Sequence, residues 1–393
     1  MSDRLSVGLI GCGGIGSYHA EGGYKQLWEA NVGSFSLDAV CDVNASVAEK
    51  AAGEVEKWQG KRPQVYTDVE RMLAGEKQMA AVDICTDHRS HHDVAGACLQ
   101  AGKHVTIEKP LGITMRAAHA ILRAQKPGLV LQVAENYRRE PHERAINWAV
   151  KQGMIGKPRM LYWTDVGERL WLWGWRDDKS IAGGGWSMDG GVHFADLFRY
   201  HIGEIESLYS TAKTYAPVRY RDHENLAGPV PISVEDTTMA VLTFKNGVTG
   251  QWGSTSAAPG LGFSTRFIYG EEGSVSWREG LQNRRDTLPM PELVKLFMTS
   301  ISDDEREAMF PRGIEESIAT ELNEFIEAVL HGGDLEIDGV EGLKDEAVCL
   351  ALYESEYAGA PVSIEKVEKC EIEASQADLN AELGLSHVKP VPL

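Results

Sequence analysis

The chain has 393 residues, 43% apolar and 25% charged, close to the averages of globular proteins, so it is long enough for two or three domains with a sizeable buried core. Thirty-nine Lys and Arg face 58 Asp and Glu for a net charge of −19, a field that repels phosphate backbones and anionic lipid and argues against nucleic-acid or membrane partners. The six cysteines (Cys12, Cys41, Cys85, Cys98, Cys349 and Cys370) form no CxxC pair and no disulfide-scaffold cluster, so they read as reduced core thiols. The first residues lack the pattern of a cleaved leader, and no run approaches about 18 consecutive apolar residues. A soluble, cytoplasmic protein is expected.

From Leu5 to about Ala134, strand-like runs alternate with helical ones. The strand candidates are Leu5 to Ile10, Leu37 to Cys41, Ala81 to Cys85, Val105 to Ile107 and Leu129 to Ala134. Helical stretches (Val47 to Trp58, His91 to Ala101, Met115 to Arg123) lie between them. This alternation predicts an α/β doubly wound parallel sheet with right-handed crossovers. After Pro141 the rhythm changes. A helix (His142 to Lys151) precedes a strand (Arg159 to Val166), a Trp-rich loop, a helix from about Val192 to His201, and strands Thr237 to Phe244, Gly247 to Gly253 and Phe263 to Tyr269. Lys245-Asn246-Gly247 signals a tight hairpin, with positive φ accepted at both Asn and Gly. The second domain is therefore expected to be α+β, with a large, mostly antiparallel open sheet closed by helices Ile314 to Leu330 and Leu343 to Tyr357. The expected divisions are residues 1–135, residues 136–364, and a polar tail of uncertain order over residues 365–393.

Gly11-Cys12-Gly13-Gly14-Ile15-Gly16 fits GxGxxG, and it follows the first strand and opens a helical run, the context in which this pattern carries meaning. Glycines there let the backbone approach a pyrophosphate at a helix N-terminus. The second strand ends at Asp42, whose carboxylate can accept both hydroxyls of an adenosine ribose and would repel a 2′-phosphate, which predicts NAD in preference to NADP. Glu108-Lys109-Pro110 ends a later strand, beyond the carboxyl edge where open α/β sheets bind ligands. Lys109 there could orient a hydroxyl and stabilise a developing alkoxide, and desolvation would lower its pKa. Alone, such a lysine reads as a surface residue before a turn proline.

Asp189-Gly190-Gly191-Val192-His193 places a carboxylate and an imidazole at i and i+4, on one face of a helix. His193 is the natural acid/base candidate near neutral pH, with Asp189 beside it to hold charge and substrate hydroxyls. By itself, Asp189 is equally a helix N-cap.

Taken together, the GxGxxG, the acid after the second strand, the EKP and the DxGxH helix resemble the Gfo/Idh/MocA family, named for glucose-fructose oxidoreductase and inositol dehydrogenase. The resemblance spans about Leu5 to Val362. It implies a catalytic group of Lys109, Asp189 and His193, and a second-domain sheet lying behind the active site and forming a homodimer or homotetramer interface. Thr86-Asp87-His88-Arg89-Ser90-His91 occupies the place of the family's Thr-Pro-Asn-x-x-His loop near the nicotinamide, with Asp87 and His88 replacing the usual proline and asparagine. By this resemblance Thr86, His88, His91 and Glu108 join the glycines, Ile15, Asp42 and Lys109 as cofactor contacts. Asn136, Tyr137 and Arg138 resemble the segment joining the two domains, where an arginine often approaches substrate; Arg138 and Arg139 also fit solvated or interfacial positions.

His88, His91 and His92 resemble a metal cluster but lack a Cys or carboxylate partner in register, and no metal is expected. Trp163, Trp171, Trp173, Trp175 and Trp186 crowd the region before Asp189. Aromatic faces suit the CH faces of sugars, and Trp173, Trp175 and Arg176 are the candidates for a substrate wall; packing explains the others equally well. The expected activity is NAD-dependent oxidation of a secondary hydroxyl on a small carbohydrate: a sugar, glycoside or cyclitol. The alternative is an NAD-dependent glycoside hydrolase that oxidises the sugar transiently, eliminates the aglycone and re-reduces the ring, using much the same residues. A non-enzymatic nucleotide sensor would not need Lys109, Asp189 and His193.

Overall fold

The computed structural model describes residues 4–393. The chain opens with β1 (Leu5–Ile10), after which α1 (Gly14–Tyr18) passes through a π-helical turn (His19–Tyr24) into α2 (Lys25–Glu29). β2 (Phe35–Cys41), α3 (Ala45–Gln59), β3 (Gln64–Tyr66), α4 (Val69–Gly75), β4 (Ala81–Ile84), α5 (His91–Gln100), β5 (His104–Glu108), α6 (Met115–Ala124) and β6 (Leu131–Ala134) follow. The six strands form one parallel sheet in the order β3-β2-β1-β4-β5-β6, so the chain reverses direction across the sheet between β1 and β4. β4 and β6 are buried along their whole length, as strands covered by helices on both faces must be. Local signals bound the helices: Asn44 caps α3 by accepting from the Ser46 N–H, Gly60 ends it at φ 76°, and Thr114 caps α6. The three-residue β3 and seven-residue α4 were not anticipated, being too short to show a period.

The second unit begins with α7 (Pro141–Lys151) and β7 (Pro158–Val166), continues through short helices α8 (Lys179–Ala182) and α9 (Trp186–Asp189), and reaches α10 (Gly191–His201). Then come β8 (Ile205–Lys213), β9 (Val218–Asp222), β10 (Ala227–Pro231), β11 (Thr237–Phe244), β12 (Thr249–Thr255), β13 (Phe263–Gly270), β14 (Gly273–Ser276), β15 (Gly280–Asn283) and β16 (Thr287–Leu288). With β17 (Val362–Ser363) they build a nine-stranded sheet, β16-β15-β14-β13-β7-β12-β11-β8-β17, while β9 and β10 form a separate ribbon. All pairs are antiparallel except β7 with β12. Side chains of β11 alternate between buried and exposed, the pattern of a sheet covered on one face. The β11–β12 hairpin forms as predicted, but only Gly247 takes positive φ (87°), and its N–H donates to the Phe244 carbonyl. That is a type I turn closed by a glycine bulge rather than a two-residue turn with both centres left-handed, and it delays β12 to Thr249.

α11 (Met290–Ser300), α12 (Asp303–Met309), α13 (Ser317–His331) and α14 (Gly339–Ala358) close the fold. α13 does not stay with the second sheet. Its Ile318, Leu322, Phe325 and Ile326 share a core with Val7, Leu9, Tyr24 and Leu37 of the first. The polar tail is ordered: α15 (Ile364–Glu368) and α16 (Ala377–Glu382) lead a strap onto α6, where Arg116 pairs with Glu373 and Thr114 donates to Asn380 Oδ1. No helix among the described residues is long and apolar enough to cross a membrane. All six cysteines are free, and only Cys370 is not fully buried.

Candidate active site

The glycine loop follows from two steric demands. Gly11 has φ 85°, and a Cβ there would lie 2.5 Å from the Cys85 carbonyl oxygen; a Cβ on Gly16 would lie 1.9 Å from that of Gly11. By contrast, a Cβ on Gly13 or Gly14 meets nothing within 4 Å. Those two glycines face a cavity of about 770 Å³, whose wall also includes Gly11, Ile15, Asp42 and Thr86. Asp42 is aimed by its own backbone surroundings, accepting from the Cys12 N–H at 2.9 Å and the Asn44 N–H at 2.8 Å. An open glycine face at a helix start and a carboxylate one strand away fit the pyrophosphate and adenosine ribose of NAD. Gly16 supports this cradle from behind.

Trp173, Trp175, Arg176 and Asp189 of the second unit line the same cavity, so the tryptophan loop borders the cleft that holds the glycine cradle. Asp189 is the hub there. Its Oδ1 accepts from Arg176 Nε at 2.9 Å and lies 3.3 Å from His88 Nε2 and 3.6 Å from Lys109 Nζ, which itself donates to the Asp189 carbonyl at 2.8 Å. Burial opposes ionisation of Asp189, but Lys109, His88 and Arg176 outweigh it and hold the carboxyl well below its usual range. The expected fall in the Lys109 pKa does not occur. Burial does push it down, yet Asp189, Glu108 and Glu135 raise it above the usual lysine value, so Lys109 stays cationic. The Arg176 guanidinium lies 4.3 Å from the ring centre of Trp175 and 5.4 Å from that of Trp173.

His193 and Asp189 do not share one helix. α9 ends at Asp189 and α10 begins at Gly191, and His193 turns instead to Glu135, whose two carboxylate oxygens lie 2.6 and 2.8 Å from Nδ1. Tyr137 stacks flat on the imidazole, with ring centres 3.8 Å apart and planes within 4°. Burial, then Lys109, pushes the His193 pKa down to about 3, away from the near-neutral range expected of it. Glu135 is pushed well above the usual carboxylate range by burial and then Asp196.

Beneath Lys109 lies a group that the sequence reading missed. His19, in the π-helical turn, bridges Asp83 on β4 (Nδ1, 2.9 Å) and Glu108 on β5 (Nε2, 3.1 Å), with Cys85 3.5 Å from Nδ1. These side-chain atoms of His19, Asp83 and Cys85 also lie within metal-ligating distance of one another. Burial opposes charge on His19, but Asp83 and Cys85 raise its pKa well above 6.5. Glu108 in turn accepts the Lys109 backbone N–H at 3.2 Å.

Several other candidates are engaged in packing. Asn136 donates to Ser317, and Arg138 is held by Asp196 at 3.0 Å from Nε and lies over the Tyr200 ring. Arg138 is therefore an interior ion-pair residue in this structure rather than a free substrate arginine. His91 is fully buried and its Nδ1 meets the Pro110 carbonyl; His88 and His92 likewise direct Nδ1 to backbone carbonyls, of Ala182 and Arg89. Trp163 is a core residue, whereas Trp186 stacks on Trp173.

Residues 5–135 match the family model described as an oxidoreductase family with an NAD-binding Rossmann fold, and residues 143–276 match the GFO/IDH/MocA C-terminal domain. Levoglucosan dehydrogenase of Pseudarthrobacter phenanthrenivorans is 28% identical, with 90% of this chain and 96% of that protein covered. D-apiose dehydrogenase of Paraburkholderia graminis is 26% identical (93% and 91% covered), and myo-inositol 2-dehydrogenase of Thermotoga maritima is 28% identical (69% and 74% covered). A solved levoglucosan dehydrogenase in complex with NADH and levoglucosan superposes with a TM-score of 0.73 at 25% identity, covering 92% of this chain and 99% of that one. Both halves of the chain are thus accounted for by one family: this protein belongs to the Gfo/Idh/MocA oxidoreductases, with an NAD-binding Rossmann domain.

Proposed function

We propose that this protein oxidises a secondary hydroxyl of a small carbohydrate, a sugar, glycoside or cyclitol, with NAD as the acceptor. The observation that supports the reading is the contact of Lys109 with Asp189, which lines the cavity of the glycine cradle, with both charges acting on the nearby His193 imidazole. NAD, when bound, supplies the acceptor for the hydride leaving the carbinol carbon. His193 takes the hydroxyl proton at Nε2. Lys109, held cationic by its carboxylate neighbours, donates toward the oxygen as it gains alkoxide character, which favours the transition state more than the neutral alcohol. Asp189 holds Lys109 and Arg176 in place and accepts from a neighbouring hydroxyl. Trp173 and Trp175 supply aromatic faces for the sugar ring at the mouth of the cavity. In this reading residues 1–135 hold the cofactor, residues 136–364 hold the substrate and a partner copy, and residues 365–393 fasten the two together.

The test is incubation of the purified protein with NAD and a panel of sugars, cyclitols and aryl glycosides, following NADH absorbance and aglycone release together. Net NADH from a polyol or sugar is expected. Aglycone release without net NADH would replace the dehydrogenase with a redox-neutral hydrolase, and neither signal from any member of the panel would overturn the reading.

A further inference from the structure

Glu135 belongs to none of the motifs that pointed to the site, yet it makes the closest contacts to the imidazole there. It directly follows the apolar run of β6 on the carboxyl edge, next to the end of β5, and its side chain is almost wholly buried. Both oxygens reach His193 Nδ1, at 2.6 and 2.8 Å, and Oε1 also accepts the Tyr137 N–H at 3.1 Å. The carboxylate is thus anchored to its own turn as well as to the imidazole. Tyr137, stacked on the ring, leaves the imidazole no room to rotate about its Cβ–Cγ bond without breaking a flat contact. We propose that Glu135 is the positioning residue of the proton acceptor: it holds His193 as the Nδ1–H tautomer and so leaves Nε2 as the nitrogen that meets the substrate hydroxyl. This inference rests on the dehydrogenase reading above.

The proton balance follows from the geometry. In the competent state the neutral imidazole donates Nδ1–H to the ionised Glu135 and offers the Nε2 lone pair. When the substrate O–H bond breaks, its proton forms the Nε2–H bond, and the hydride leaves the carbinol carbon with its electron pair for the bound NAD. The imidazolium so formed already has its second N–H on a carboxylate, which stabilises the charge where it develops.

The surroundings set the pH at which this state exists. Lys109 from the end of β5 and Arg138 from the turn after β6 favour the ionised Glu135, and Asp196 on α10 opposes it. Glu321 on α13 and Cys349 on α14 also interact electrostatically with Glu135, and Glu108 and Asp189 act on the imidazole. Burial disfavours a separate charge on either partner, raising Glu135 and lowering His193. The two therefore titrate as one unit. Below the unit's apparent pKa it carries an extra proton, and Nε2 is no longer a base; above it, the competent state forms. The acidic limb of the rate profile belongs to this unit.

Replacing Glu135 by Gln keeps the shape but removes the charge. The expected result is a fall in kcat on the order of a hundredfold, with KM changed by less than about threefold. The acidic limb should move toward lower pH by about one unit or more, because loss of a negative neighbour makes the imidazole less basic. Glu135→Asp, which restores the charge on a shorter arm, should recover part of kcat and return the limb toward its original place. An unmoved limb and kcat within about twofold of wild type in Glu135→Gln would overturn the assignment. A measurement independent of turnover is ¹⁵N NMR of histidine-labelled protein above the limb. It should show His193 protonated at Nδ1 in the wild type; an Nε2–H tautomer there overturns the proposal whatever the activity. If the Nδ1–H tautomer is found but no polyol yields NADH, the Glu135–His193 pairing is upheld and only the dehydrogenase reading falls.

Discussion

Asp42 shows how one carboxylate is aimed by its backbone surroundings. The N–H groups of Cys12 and Asn44 take one oxygen each, so its direction is set by the glycine loop on one side and the start of α3 on the other. Replacing it with Ala removes hydrogen bonds to the ribose and the repulsion that a 2′-phosphate would feel. Dissociation constants for NAD and NADP should show NAD tighter in the wild type, with the preference narrowed about tenfold or more in Asp42→Ala, as loss of hydrogen bonds to a charged group implies. Tighter binding of NADP to the wild-type protein would sink this assignment. Asp42 and Lys109 were legible in the sequence because each directly follows an apolar strand and so lands on the ligand-binding edge. Glu135 occupies the same position after β6 and could have been found by the same rule. No spacing pattern marks it, and by residue type Arg138, three residues on, is the more ligand-like group, but Asp196 holds Arg138 in an interior ion pair.

Among the elements, the strands and long helices were readable from periodicity to within a few residues, and the errors occur where backbone chemistry interrupts the period. Gly190 separates α9 from α10, so the i, i+4 argument brought Asp189 and His193 to the right neighbourhood but gave them the wrong partners. The order of the tail over residues 365–393 could not be read from its sequence because its composition is polar and its helices are short. Its order comes from α6. Arg116 pairs with Glu373, the Met115 N–H donates to Gln376, and His119 lies between the Glu368 carbonyl and the Val391 N–H. These bonds join a segment that leaves the second sheet to a helix of the first. Arg116→Ala should lower Tm by about 2 to 4 °C, the shift expected for roughly 1 kcal/mol in a domain of this size, and should speed amide exchange selectively in the last twenty-five or so residues. An unchanged Tm with unchanged exchange would show that the strap does not depend on this pair.

At the scale of the whole molecule, the outer face of the nine-stranded sheet stands out. Strand register lines up Phe267, Tyr162, Gln251, Val241 and Tyr209 in one row across β13, β7, β12, β11 and β8. Tyr162, Val241 and Tyr209 are exposed, as are Met160 and Met239 in the flanking rows. Exposed apolar side chains gathered on one sheet face in this way suit a second copy of the chain. Light scattering after gel filtration should give a dimer or tetramer for the wild type and a smaller species for Val241→Lys, which puts a charge at the centre of the face; a wild-type monomer would remove the assignment. The sequence by itself determined what depends on neighbours along the chain. The positive φ at Gly11, the alternation of β11 and the apolar runs that form the parallel sheet are local, and together they placed the cofactor loop, Lys109 and His193 on the elements that carry them. Only the tertiary structure decided the partners and charges of those groups. Glu135 meets His193 across 58 residues and His19 meets Glu108 across 89, and a side chain's proton affinity depends on how deeply it is buried and which charges stand beside it. Those are properties of the packed interior, where the carboxylates that keep Lys109 cationic arrive from β5, the turn after β6 and α9, three separate parts of the chain.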